Sequence, residues 1–315
     1  MRVALANLFT TSTTAIRATS LNNNAGISAV MNPLELVKLN ALMERTTGRP
    51  EVRIGLIDGP VAVDHLDLAG GNIHPISGAL SGTCTVANSF ACRHGTFVAG
   101  ILSARRGSAA PAICPDCTVL VRPIFIETKA TNGEMPSATP EELAGAILDC
   151  IDGGARILNV SAAIARPSFN NERVLEEALD QAARRGVIVV VAAGNQGTLG
   201  STAITRHPWV IPVVGYNRQG IPMNLSNLGN SIGRRGLGAP GDRITSLGAS
   251  GTTLTLGGTS AAAPFVAGTI GLLWSEYPTA SATIVKYAVT QGASRRTTVI
   301  PPLLNAWRAY QVLSR

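Results

Sequence analysis

The chain has 315 residues, 45% hydrophobic and 14% charged, and 26 basic against 19 acidic side chains leave a net charge of +7. That balance excludes a disordered chain and supplies a large buried core. No apolar run nears the roughly 18 residues that a membrane-spanning helix needs, and the basic residues are scattered except for pairs such as Arg105-Arg106 and Arg234-Arg235, so no membrane span and no specific nucleic-acid module is expected.

Residues 1–32 carry a weak apolar patch from Val3 to Phe9 and then a Thr-rich stretch, which falls short of a secretion signal. We expect a flexible N-terminal extension there and one domain at 33–315. A helix is expected from Asn32-Pro33 through Glu44. Arg53 to Asp58 reads as a short buried strand, and Asp58 ends it at the turn, where parallel sheets hold functional groups. Arg93-His94-Gly95-Thr96-Phe97-Val98-Ala99-Gly100 puts a histidine at a helix entrance, followed by small residues that allow close packing. Further strands are expected at Thr118 to Phe125, Arg156 to Ser161, Val187 to Ala192 and Trp209 to Val214. Helices are expected at Thr139 to Ile151, Asn171 to Arg185 and Ser260 to Glu276. The first of these helices is well marked by Thr139 as cap, Pro140 in the first turn and Glu141-Glu142 on the positive end of the dipole. Strands alternating with helices indicate an α/β fold with a mostly parallel central sheet and helices on both faces. In Gly257-Gly258-Thr259-Ser260-Ala261-Ala262-Ala263-Pro264, a serine stands where a glycine turn meets an apolar helix. Serine is also an ordinary helix cap, but here the amides and positive end of the helix favour the negative charge that develops on nucleophilic attack. Asp58, His94 and Ser260 are thus the candidate orienter, base and nucleophile.

These segments resemble the subtilisin family of serine proteases, roughly over residues 50 to 290, with the family's chain order Asp58, His94, Ser260. Val191-Ala192-Ala193-Gly194-Asn195 looks like the family's oxyanion-asparagine strand. The resemblance implies a three-layer fold, a catalytic triad and Asn195 as the oxyanion-hole donor. It also implies that a peptide or protein substrate adds as a strand along Asn159-Val160-Ser161-Ala162-Ala163, with the primary pocket between Ser161, Ala162 and Ala163 on one side and Ala192, Ala193 and Gly194 on the other. Where family members usually have a Gly-Gly step this chain has Ala163-Ile164, so their substrate preference is not carried over. No acid stands in either segment, which argues against a preference for Lys or Arg at the cleaved bond. His65 matches a structural position of the family, whereas His74 and His207 lie in no motif and are expected on the surface or in packing.

Asp58-Gly59-Pro60-Val61 and Ala91-Cys92-Arg93-His94-Gly95-Thr96 are similar, more narrowly, to the cyanobactin maturation proteases, which process ribosomally made precursor peptides. A cytoplasmic endopeptidase that matures a precursor peptide is the preferred reading. General protein turnover is the alternative within the class, and a catalytically silent peptide-binding scaffold the alternative outside it. Secreted subtilisins carry a folding prodomain, but only 57 residues precede Asp58 here. The extension is therefore expected to be dispensable for chemistry.

No cofactor or metal is expected. The loop where the family often holds calcium is Arg105-Arg106-Gly107-Ser108-Ala109-Ala110-Pro111, which has no carboxylate or asparagine to offer the ion. Five cysteines, Cys84, Cys92, Cys114, Cys117 and Cys150, cannot all pair within one chain. Free thiols are the first reading, a local Cys114–Cys117 disulfide the second, and zinc on those two with Cys84 and Cys92 the third.

Overall fold

A computed structural model of the chain describes residues 3–5, 31–68, 72–128, 136–164, 172–291 and 298–315. Its strands are β1 (Val3–Leu5), β2 (Arg53–Asp58), β3 (Ile73–Pro75), β4 (Thr118–Pro123), β5 (Ser137–Ala138), β6 (Ile157–Val160), β7 (Ala162–Ile164), β8 (Ile188–Ala192), β9 (Ile211–Tyr216), β10 (Leu237–Pro240), β11 (Ile244–Leu247) and β12 (Thr253–Leu256). The helices are α1 (Pro33–Leu36), α2 (Asn40–Arg45), α3 (Phe90–Ser103), α4 (Pro140–Asp152), α5 (Arg173–Arg184), α6 (Ala203–Arg206), α7 (Asn230–Arg235), α8 (Thr259–Glu276), α9 (Ala282–Gln291) and α10 (Ala306–Leu313).

Seven strands form one sheet in the order β10-β9-β8-β6-β2-β4-β3, and every described pairing in it is parallel. Such a sheet must be covered on both faces, and the alternating side chains of each strand divide accordingly. Ile54, Leu56, Val119, Val121, Ile188 and Val190 share a core with Phe97 of α3 and Phe265 and Trp274 of α8. Ile57, Leu120, Val189 and Val191 share another with Leu143 and Ile147 of α4 and Leu175 and Leu179 of α5. The result is the expected three-layer, subtilisin-like α/β architecture. The chain passes from β2 to β4 on one side and returns through α4 to β6 on the other, so the strand order reverses at β2. A crevice outside the carboxyl ends of the strands is expected at such a reversal.

α8 is buried from Thr259 through Ser275. Its sequence is apolar around the whole circumference, as a core helix requires. α4 begins as expected, with a full capping box between Thr139 and Glu142. The expected helix from residue 32 to 44 is instead two short ones, α1 and α2, interrupted at Lys38, whose φ of 55° cannot continue a right-handed helix. The strand expected to reach Phe125 leaves the ladder after Pro123, and the one expected at Trp209 to Val214 runs from Ile211 to Tyr216. Trp209 instead packs by its edge, its indole N–H donating to the Val187 carbonyl at 2.7 Å.

A second sheet has the order β5-β1-β7 and is antiparallel throughout. Its middle strand, Val3–Leu5, belongs to the segment expected as a flexible extension; residues 6–30 lie outside the described ones. At the other end of the chain α10 seats against α2 and α9, with the Ala306 N–H donating to the Val37 carbonyl at 2.9 Å.

Candidate active site

β2 delivers Asp58 at its carboxyl end, fully buried. α3, capped by Ser89 through the Cys92 amide, carries His94 in its second turn. Asp58 Oδ1 and His94 Nδ1 lie 2.6 Å apart with neither side chain exposed, and the Gly59 N–H donates to the same carboxylate oxygen at 2.6 Å. A carboxylate so placed fixes the imidazole ring and keeps a proton on Nδ1, leaving Nε2 as the end that can accept. The two elements can approach this closely because residue 95 is glycine: a Cβ there would lie 2.4 Å from the Pro60 carbonyl oxygen. Thr96 adds a tie, its hydroxyl accepting from the Ala62 N–H at 3.0 Å. Phe90 stacks against the His94 ring at 6.1 Å between centroids.

Gly258, at φ 132°, turns the chain into α8 and puts Ser260 in the first helical turn, among amides that have no intrahelical partner. The residue after β6 is Ser161, and it clasps Ser260 from both sides. The Ser260 hydroxyl donates to the Ser161 carbonyl at 3.1 Å, and the Ser161 hydroxyl donates to the Ser260 carbonyl at 3.4 Å. Pro264 supplies the reason for the second bond. Four residues after Ser260 it has no N–H to donate, so the helix leaves that carbonyl without its usual partner. Asn159 completes the chain of donors by giving its amide N–H to the Ser161 hydroxyl at 2.9 Å. With Ser260 turned to Ser161, Nε2 of His94 is buried and has no hydrogen-bond partner among the described residues.

Asn195 follows β8, beyond Ala192, Ala193 and Gly194. Its side-chain oxygen accepts from the Thr259 N–H at 2.9 Å, which fixes the oxygen end of the amide against the start of α8. The Thr259 hydroxyl accepts from the Gly194 N–H at 3.2 Å, and the Asn227 amide ties down the same turn by donating to the Ala193 carbonyl at 3.2 Å and accepting from the Gln196 and Thr198 amides. Asn159, Asn227 and Thr259 were missed in the sequence. Thr259 was adjacent to the candidate serine and Asn159 lay in the expected edge, but nothing in the spacing of Asn227 links it to residue 193.

The structure thus brings Asp58 and His94 into contact, and Ser260 and Asn195 onto adjoining ends of α8 and β8. Ser161, Ala162 and Ala163 pass from β6 into β7 beside Ala192, Ala193 and Gly194. His65 is buried, accepting from the Asp67 N–H at 3.1 Å, and His207 is buried against Asp180 at 3.1 Å, whereas His74 is exposed.

The cysteines pair otherwise than the spacing suggested. Cys84 and Cys92 form a disulfide, and Cys114, Cys117 and Cys150 are free and buried. A disulfide sulfur is not a thiolate ligand, and no four-cysteine cluster exists among the described residues, so the zinc alternative does not hold. Burial pushes the Cys150 thiol up to about 12. A short-range contact with Cys117 raises Cys114 and lowers Cys117.

A carboxylate, an imidazole and a helix-borne serine at the carboxyl ends of a parallel sheet define the class, a serine endopeptidase of subtilisin type. Residues 49–305 match the subtilase family, to which the chain belongs. Subtilisin DY of Bacillus licheniformis is 28% identical over 266 residues, 83% of this chain and 90% of that protein. A subtilisin of Bacillus sp. (strain TA39) is 26% identical over 286 residues, and the chain spans 64% of its length. Among solved structures, a mutant of the protease domain of PatA superposes with a TM-score of 0.78 at 28% identity, over 85% of this chain and 96% of that one. The prenylagaramide maturation protease PagA gives a TM-score of 0.77 at 27% identity, over 87% and 98%. No helix among the described residues is long and apolar enough to cross a membrane.

Proposed function

We propose that Asp58, His94 and Ser260 act as a catalytic triad that cleaves peptide bonds, with Asn195 in the oxyanion hole. The observation that carries this reading is the buried 2.6 Å pair of Asp58 with His94 Nδ1, which leaves Nε2 without a partner among the described residues while the Ser260 hydroxyl rests on the Ser161 carbonyl. Rotation about the Ser260 side chain transfers its hydrogen bond from the Ser161 carbonyl to His94. Nε2 then takes the hydroxyl proton as Oγ bonds to the substrate carbonyl carbon. The carbonyl oxygen, now negative, receives N–H donors from Asn195 and the Ser260 backbone. When the C–N bond breaks, the proton on Nε2 passes to the leaving amine, and Asp58 stabilises the imidazolium in the interval. A water molecule, deprotonated by the same nitrogen, releases the acyl group and restores Ser260. The substrate runs as an extended strand beside Ser161, Ala162 and Ala163, and its side chain at the cleaved bond enters between these and Ala192, Ala193 and Gly194.

The biological setting we favour is maturation of a ribosomally made precursor peptide, supported by the likeness in fold and sequence to PatA and PagA over most of both chains. Three free buried thiols fit a reducing cytoplasm, and the Cys84–Cys92 disulfide fits an oxidising compartment. Acid-quenched thiol trapping of Cys84 and Cys92 in cells decides between them: trapped thiols would support the cytoplasm, and complete oxidation would move the protein to an oxidising compartment. Function is tested by cleavage profiling on a diverse peptide library with Ser260→Ala as control. Cuts confined to a narrow sequence set and abolished in Ser260→Ala are expected. Broad cleavage would favour general turnover, and none in either protein would favour a scaffold.

A further inference from the structure

The amino ends of β9 and β10 border a cavity of about 310 Å³, at the end of the parallel sheet opposite the one that carries Asp58 and Asn195. Trp209 lies just ahead of β9, and Arg234 and Arg235 close α7 just ahead of β10. α9 completes the wall with Lys286 and Tyr287. A volume of this size is enough for a specific ligand.

Three of these residues are cations and none is an acid. Among the described residues neither Arg235 nor Lys286 has a carboxylate partner, and the adjoining Asp180 lies 3.1 Å from His207 instead. The Arg235 guanidinium donates to the Arg206 carbonyl at 2.7 Å, while its Nε is buried with no partner among the described residues. Lys286 donates to the Pro208 carbonyl at 2.9 Å and lies over the Trp209 ring. Burial, then Arg234, pushes the Arg235 guanidinium down, and burial, then Arg235, pushes Lys286 down to about 8. An anion entering the cavity relieves this repulsion. A carboxylate suits the guanidinium fork, and the Trp209 and Tyr287 rings, the latter 57% exposed, offer apolar area that a small inorganic anion leaves unused. The cations surround one hollow rather than forming the row that a nucleic-acid backbone follows.

We propose that this cavity is a second substrate site, which holds an acidic stretch of a long peptide while a bond elsewhere in the same peptide is cut at Ser260. The proposal rests on the peptidase reading and adds to it a substrate class: peptides that carry carboxylates and apolar side chains well away from the cleaved bond. β9 has six residues, so about 20 Å separate the two ends of the sheet. An extended chain needs about six residues to cover that distance and more to round the surface. Exposed charge pairs are individually weak, but tethering makes the second contact intramolecular, which lowers KM and leaves kcat unchanged.

The test first reads binding by fluorescence anisotropy in a Ser260→Ala chain, with and without Arg234→Glu, at an exposed position, or Lys286→Gln. The probes are a labelled, capped Asp-Phe-Glu-Leu-Glu peptide, its neutral Asn-Phe-Gln-Leu-Gln counterpart and a labelled oligothymidylate. The acidic peptide is expected to bind about tenfold more tightly than the neutral one, to weaken about fivefold in each variant, and to weaken as salt is raised. The active chain is then given a library-derived cleavage sequence joined, through about twelve residues, to the acidic or the neutral stretch. A severalfold lower KM for the acidic substrate, lost in both variants with kcat unchanged, is expected. Equal binding of the two peptides, or undiminished binding in both variants, would overturn the site. Oligothymidylate that binds more tightly than the acidic peptide and is lost in the same variants would overturn the peptide as its occupant. Equal KM for the two substrates would overturn its role in substrate capture. Binding as expected with no cleavage of any peptide would uphold the site and count instead against the peptidase reading, so the two fail separately.

Discussion

The side-chain oxygen of Asn195 accepts from the Thr259 amide, and the residue's value lies in what the NH₂ end does when charge develops on the substrate. Asn195→Ala should lower kcat by about 10²–10³ with little change in KM, a magnitude known for the same donor in subtilisin rather than worked out from these distances. Steady-state kinetics on a library-derived substrate measures it, and an unchanged kcat would remove Asn195 from the oxyanion hole. The residues around this site differ in how far their sequence gives them away. Asp58 and Ser260 sit at element boundaries, His94 lies in the second turn of its helix, and each is followed by a small residue, Gly59, Ala261 and Gly95, which is a local signal. The clasp between Ser161 and Ser260 was not legible, because it depends on a carbonyl orphaned by Pro264 meeting the end of a strand 99 positions earlier.

Among the elements, the loop after α3 has an organic cation where the family often holds a metal. The Arg106 guanidinium donates to the carbonyls of Met43, Thr46 at 2.8 Å and Ile113 at 3.1 Å, tying α2 to the segment that follows the loop. The sequence showed that side-chain oxygen ligands were missing there, but not what binds the carbonyl oxygens instead. Arg106→Ala should cost about 1–2 kcal/mol, since the group is partly exposed, and lower Tm by a few degrees. A chelator should leave the Tm of the parent chain unchanged; a fall of several degrees reversed by calcium would contradict this. α9 supplies a pH dependence. Lys286 lies over the Trp209 ring at 4.7 Å, and burial, with a smaller contribution from Arg235, pushes its ammonium down to about 8. The ordinary value for an unfolded chain is about 10.4, so folding disfavours the charged form, and stability rises as pH climbs from about 8 to 10.4. Lys286→Met should remove about 1–2 kcal/mol of that rise, after allowance for partial exposure. Denaturant melts of both proteins at pH 7.5 and 10 measure the difference, and parallel curves would sink the assignment.

At the scale of the whole molecule, strands such as Val187 to Ala192 were legible because burial on both faces requires continuous apolar runs. The small β5-β1-β7 sheet was not, because strands of two and three residues carry no periodicity and their partners lie more than 130 positions apart. The Cys84–Cys92 bond escaped for the opposite reason. Its spacing fits no familiar motif, and only the packing of the loop against α3 brings the two together. The central claim remains that one fold assembles three distant side chains into a single reactive group. Intact-protein mass spectrometry after fluorophosphonate treatment tests it most directly, because a serine reacts quickly only when a base activates it. One adduct on Ser260 in the parent chain and none in His94→Ala over the same interval is the predicted result; equal labelling of the two would contradict the account.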